Sequence, residues 1–162
     1  MFRITLLLAA ALAFYAGTAH AARVSSDRED YAACVRASAQ AFRVPELSIW
    51  LILDVERGTV GRVSQNKNGT YDIGPMQVNS IWLKKIAPYG ISEPQLRDNL
   101  CMNIYVGTWI FAQELQRHGT LPKAFAYYHS PTARFQQRYL GLIQNALARR
   151  QARMQQDIAA AN

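Results

Sequence analysis

The chain is poor in the residues that build small cross-linked or metal-held scaffolds. Its 162 residues include two cysteines, Cys34 and Cys101, and three histidines. That excludes a disulfide-dense mini-scaffold and a four-cysteine zinc site. There is no Gly-rich phosphate loop, no internal repeat, no low-complexity linker and no long run of one charge. Past the N-terminal run, no apolar stretch reaches the ~20 residues that hydrocarbon requires. What is there is ordinary globular composition: 50% hydrophobic and 18% charged residues, enough chain for one domain.

The N-terminal run has its own logic. Met1-Phe2-Arg3 carries one positive charge, Ile4 to Ala16 is almost wholly apolar, and Ala19-His20-Ala21 is a small-x-small site. Together they read as a secretory signal peptide over residues 1–21, cleaved after Ala21, with residues 22–162 as a single domain. The expected location is therefore periplasmic or otherwise exported, with no membrane span after cleavage. In an oxidising compartment Cys34 and Cys101 are expected to bond, the alternative being two buried thiols. Closing so long a loop stabilises a fold by about 4 kcal/mol in the loop-entropy picture.

Lys and Arg number 18 against 11 Asp and Glu, a formal charge of +7. Arg134, Arg138, Arg149, Arg150 and Arg153 crowd the C-terminal part and read first as a solvated helix face. If that face has a partner, an anionic polymer suits an exported chain better than nucleic acid, which is not expected.

Periodicity predicts a mostly helical fold. Tyr31, Cys34, Val35, Ala39 and Phe42 recur at helical spacing after Ser26 and Glu29, which have capping-box spacing. Pro45 suits the start of a second helix and Gly58 its end, with Leu47 to Val55 nearly all apolar. From Gly58 to Gly74 the glycines, Asn66, Asn68 and Asp72 predict two short strands around an Asn68-Gly69 turn. Helical character resumes near Gln77 and runs to Tyr89-Gly90. Ser92 caps a short turn over Glu93 to Asp98, and a long helix runs from Leu100 to His118, stopped by Gly119. Pro122 opens another helix to Tyr128. Thr132 caps a last amphipathic helix through Leu140, Ile143 and Leu147, expected to fray past Arg153. The fold class is α+β, mostly α, with one small β-hairpin excursion.

Glu56 stands out chemically. It follows Leu53, Ile52 and Ile49 by three, four and seven residues, so it extends an apolar face. Partial desolvation and the C-terminal helix dipole both disfavour its negative charge and raise its pKa. A carboxyl kept protonated near neutral pH can serve as a general acid. Helix-end glutamates are also commonly just solvated. His118 and His129 have no paired ligand spacing and read as surface or capping residues; no metal or other cofactor is expected. Trp50 and Trp109 read as core, and Trp82 as a residue able to line a cleft.

The run Asn68 to Ser80, with Asp72-Ile73-Gly74-Pro75-Met76-Gln77-Val78-Asn79-Ser80 after a glutamate-ended buried helix, resembles the lysozyme-like superfamily. More narrowly it is similar to the soluble lytic transglycosylase domain of small exported enzymes that accompany conjugation, type III and type IV secretion, and pilus systems. Cys101 to Ile110 resembles that group's Cys-x-Asn-x-x-x-Gly-x-x-Ile helix, and Ala124 to Tyr128 the helix ending in its active-site tyrosine. The likeness covers about Ala32 to Tyr139. It implies a lysozyme-like fold and cleavage of the β-1,4 bond between N-acetylmuramic acid and N-acetylglucosamine in peptidoglycan, with closure of a 1,6-anhydro ring. Glu56 would be the catalytic acid and then base. Tyr128 would place a hydroxyl near the developing charge, Gln77 and Asn79 would hold the acetamido group or orient Glu56, and Met76 would pack under a sugar ring. The partners implied are peptidoglycan glycan strands and components of a secretion or conjugation apparatus.

Asp72 has two readings: a lysozyme-type second carboxylate enabling hydrolysis, or a turn residue that hydrogen-bonds neighbouring amides. The chain departs from the group's pattern twice. Arg57 follows the glutamate where many relatives have Ser, and Tyr128-His129-Ser130-Pro131 stands for Tyr-Asn-Ala-Gly. A guanidinium at position 57 able to hold Glu56 ionised would fit a non-catalytic wall-binding factor.

Overall fold

The computed structural model describes residues 29–161. The expected signal peptide and its cleavage site lie outside them. The described residues from Cys34 onward form one compact unit, and the site lies in it.

Seven helices and one small sheet make up the described residues: α1 (residues 29–42), α2 (Glu46–Glu56), β1 (Val63–Gln65), β2 (Tyr71–Ile73), β3 (Val78–Asn79), α3 (Leu83–Ile86), α4 (Glu93–Asp98), α5 (Leu100–His118), α6 (Leu121–His129) and α7 (Ala133–Ala161). Short 3-10 turns, Ser80–Trp82 and Ala87–Tyr89, flank α3. The class is mostly α with a small antiparallel sheet, as expected. Among the described residues no helix is long and apolar enough to cross a membrane.

Three local expectations are corrected. The first is that the sheet has three strands in the order β1-β2-β3, not two. Gln77, expected to open a helix, instead adopts φ +49 in the turn that closes β2 onto β3. Helical backbone resumes only at Ser80, where the Asn79 side chain accepts from the Ile81 N–H at 3.1 Å. The second is that α2 ends at Glu56 because Arg57, not Gly58, takes the left-handed conformation. Gly58 serves close packing: a Cβ there would run into the Gly74 carbonyl and the Gln77 amide. The third is that α7 stays helical to Ala161, past Arg153. Residues 151–161 are rich in Ala and Gln and contain no Gly or Pro to break the run.

The core gathers on α5. Ile104, Phe111 and Val106 are buried there, with Ile49 and Ile52 of α2 and Ala124 and Phe125 of α6. Cys34 of α1 and Cys101 of α5 are bonded, clipping together segments 67 residues apart.

Asn103 fastens the sheet region to this core. Its Nδ2 donates to the carbonyls of Ile73 and Leu96, both at 2.9 Å, and its Oδ1 accepts from the Met76 N–H at 2.8 Å. A buried amide satisfied on both sides fixes three chain segments at one point. Opposite, Tyr71 Oη donates to Glu93 Oε2 at 2.6 Å, tying β2 to α4.

Candidate active site

The end of α2, the sheet and the junction of α6 with α7 converge on Glu56. The carboxyl is half-buried, and this burial raises its pKa from 4.5 to about 7. The negative charge of Asp72 adds to the rise, while the Tyr139 hydroxyl opposes it. Tyr139 sits on α7 with 1% of its surface exposed. Its buried Oη closes no hydrogen bond of good geometry, so its contact with the carboxyl is loose. Its phenol stays neutral, its pKa pushed up by burial and then by Glu56.

Arg57 does not neutralise the acid. Its Nε donates to the Asp54 carbonyl at 3.3 Å and its side chain is exposed. Nor does Arg150 reach Glu56, because Arg150 pairs with Asp54 on both carboxylate oxygens, at 2.6 and 2.9 Å. Arg57, Arg150 and, at 4.0 Å, Arg153 are thus all directed to Asp54.

Asp72 lies on β2 directly across from Asn79 of β3. Its Oδ1 accepts from Asn79 Nδ2 at 2.7 Å and its Oδ2 from Asn66 Nδ2 at 2.9 Å. Hydrogen bonding to neighbouring amides is therefore what this carboxylate does, but the donors are side chains brought by the sheet register, not turn backbone. The Asn79 amide also donates to Thr70 Oγ1 at 3.1 Å. Asn79 acts on Asp72; it forms no contact with Glu56 that would orient the acid.

Gln77 folds back so that its Nε2 donates to the Gly74 carbonyl at 2.8 Å, against Gly58 just past the end of α2. Met76 requires correction. Its side chain is fully buried against Gly107 of α5, so it has no face to offer a sugar. What Met76 supplies is backbone: its carbonyl accepts from Tyr128 Oη at 2.8 Å. The Tyr128 hydroxyl is thereby committed to fixing the turn beside the acid, and burial, then Glu56 and Asp72, push its pKa up.

Two residues at this place escaped the sequence reading. Tyr139 falls four and seven residues before the buried Ile143 and Ala146 on the α7 stripe. A tyrosine where Leu or Phe would serve carries a hydroxyl that needs a partner, and that was the available signal. His129, at the end of α6, is exposed, as its surface reading expects; what that reading did not give is the stacking of its ring on Tyr139, centroids 4.4 Å apart and planes 7° from parallel. Trp82 packs edge-on against Trp109, 5.6 Å between centroids, with Lys85 over its ring. No group of three or more His, Cys, Asp or Glu among the described residues is placed to hold a metal ion.

The family comparison decides what this arrangement belongs to. The transglycosylase SLT domain matches residues 33–140, from just before Cys34 to just past Tyr139. The chain belongs to the transglycosylase SLT family. The SLT match spans Glu56, Asp72, Met76, Gln77, Asn79, Tyr128, His129 and Tyr139. Among curated relatives, Invasion protein IagB of Salmonella typhimurium (strain SL1344) is 33% identical over 73 residues, 45% of this chain and 46% of that protein. Protein IpgF of Shigella flexneri is 24% identical over 101 residues, 62% of this chain and 66% of IpgF. A peptidoglycan-binding-like protein of Escherichia coli O157:H7 is 29% identical over 106 residues, 60% and 64% of the two chains. The chain thus spans about half the length of IagB.

Proposed function

We propose that this SLT domain is a peptidoglycan lytic transglycosylase that cleaves the β-1,4 bond between N-acetylmuramic acid and N-acetylglucosamine. The reading rests on one observation above all. Glu56 is a half-buried carboxyl with its pKa raised to about 7, so a large share of it holds a proton at neutral pH.

Glu56 delivers that proton to the bridging oxygen as the bond from the anomeric carbon to that oxygen breaks. The carbonyl of the sugar's own N-acetyl group stabilises the positive anomeric carbon. Glu56, now a carboxylate, takes the proton of the muramic O6 hydroxyl while O6 bonds to the anomeric carbon. One proton is given and one regained, and no water enters. Tyr139 steadies the carboxyl, Tyr128 holds the Met76 turn beside it, and Gln77 offers an amide for the sugar's acetamido group.

A hydrolytic outcome is the second reading, and a specific feature favours it. Asp72 presents a carboxylate that accepts on both oxygens, close enough to Glu56 for each charge to act on the other. A protonated Glu and an acceptor carboxylate across a sugar site is the lysozyme division of labour, which is also the standard illustration of such paired environments. The wall-binding alternative loses its argument, because Arg57 faces the Asp54 carbonyl.

The substrate is expected outside the cytoplasm, after cleavage of the chain at Ala21. There the enzyme would open the wall for an envelope-spanning secretion or conjugation apparatus. Relatives named an invasion protein and a peptidoglycan-binding-like protein support that setting. Mass spectrometry of muropeptides released from purified sacculi tests the chemistry. Anhydro ends support the transglycosylase, reducing ends alone support the hydrolase, and equal release by wild type and Glu56→Gln overturns both.

A further inference from the structure

His129 is the one imidazole at the site, and it is held there by geometry. It ends α6 one residue after Tyr128, lies flat on the Tyr139 ring, and the next residue, Ser130, breaks the helix with extended backbone. Ser130 is held in turn: its carbonyl accepts from Gln136 Nε2 at 3.0 Å and its hydroxyl from the Thr132 N–H at 3.1 Å. The imidazole therefore has a fixed place beside the phenol that faces Glu56.

We propose that His129 is a pH switch for the Glu56 site: uncharged, its ring packs flat on Tyr139 beside the acid, and protonated, it puts a positive charge where the reaction itself develops one. This rests on the glycosidase reading of the Glu56 site. Tyr139 on α7 stacks on the ring with Glu56 beyond it, and the charged groups that act on the ring are Asp72 on β2 and Arg138 on α7. Burial disfavours the imidazolium most, Asp72 favours it, and Arg138 disfavours it, leaving the pKa below the ordinary 6.5. At neutral pH the ring is accordingly neutral. As pH falls through its pKa the ring becomes a cation that attracts the Asp72 carboxylate. That charge opposes positive charge at the anomeric carbon and cancels part of the Asp72 field.

The pH–rate profile on sacculi, read from pH 4.5 to 8.5, gives the test. Wild type is expected to show an acidic limb with activity roughly tenfold lower at pH 5 than at pH 7. It also shows a basic limb from Glu56. In His129→Gln the acidic limb disappears and the basic limb stays. In Arg138→Gln, which removes an exposed repelling charge, the acidic limb moves to higher pH. A purely structural His129 would lower the His129→Gln rate by the same factor at every pH, and that result overturns the proposal. An unmoved limb in Arg138→Gln overturns it too.

NMR provides a readout without turnover. The Glu56 carboxyl carbon should show a second inflection at the His129 midpoint, absent in His129→Gln. If Glu56→Gln still cleaves sacculi, the glycosidase reading fails while this coupling can still be observed. If Glu56→Gln is inactive and His129→Gln keeps the wild-type profile, His129 alone is refuted.

Discussion

Glu56 and Asp72 face the same space and are treated in opposite ways. The sheet surrounds Asp72 with donors, one side-chain amide on each oxygen, delivered by cross-strand register and by the loop that closes β1 onto β2. At the end of α2, Glu56 has burial, a loosely placed phenol from α7 and no cation. Arg57, the cation that proximity in sequence would assign to Glu56, is spent on the Asp54 carbonyl, and Arg150, brought in from α7, on the Asp54 carboxylate. A short helix end leading into a tight turn leaves a carboxyl without partners, whereas a hairpin crosses side chains at fixed spacing. One fold thus makes a proton holder and an acceptor out of two acids.

The strongest way to break this comparison is Glu56→Gln. Loss of the general acid is expected to cut muropeptide release by about 10³-fold. The same variant probes stability. A pKa raised in the folded state gives stability that is fully present below pH 4.5 and lost as pH rises through about 7. Replacing Glu56 should therefore raise the melting temperature at pH 8 and do little at pH 4, with the pH 8 gain at most about 3 kcal/mol. A gain equal at both pH values would show that the carboxyl is not buried.

Next in size is the fastening beneath both acids. Asn103→Leu removes an acceptor for the Met76 N–H and two donors to buried carbonyls, and is expected to cost about 4 kcal/mol in urea unfolding. Wild-type stability in that variant would mean that the turn carrying Gln77 is held elsewhere.

Tyr139→Phe sharpens the comparison from the Glu56 side. The hydroxyl lowers the Glu56 pKa, so its removal should shift the basic limb of the rate profile to higher pH. Activity is expected to fall by about tenfold as the carboxyl loses its guide. A lower-pH shift would contradict the placement of the phenol.

Asp72→Asn gives the smallest change if Glu56 acts alone. It removes a negative charge, so the Glu56 pKa falls and the basic limb moves to lower pH. Retained anhydro products with that modest shift support a single-acid mechanism. A loss as large as that of Glu56→Gln would mean that Asp72 takes part directly.

Much of this was legible in the chain. The apolar spacing before Glu56 placed the acid at the end of a buried helix, because an i, i+3, i+4, i+7 pattern fixes which face is dry. Gly119 and Pro122 marked helix ends for reasons local to the backbone. The Asn68-Gly69 turn was equally plain, with Gly69 at φ +82. Met76 was misread because a motif residue beside an active site looks like a contact, and only the approach of Gly107 shows that its side chain fills the core.

The sequence by itself determined the helical framework, the hairpin, the two cysteines able to bond and the acid on a dry face, since each depends on neighbours a few residues away. Tertiary structure alone decided that Arg57 turns away, that Asn79 serves Asp72, and that Tyr139 and His129 stack beside the acid. Those outcomes depend on which groups the folded backbone brings together, whether three residues apart like Arg57 and Asp54 or far apart in the chain like Tyr139 and Glu56, and charge and burial act through space rather than along the chain.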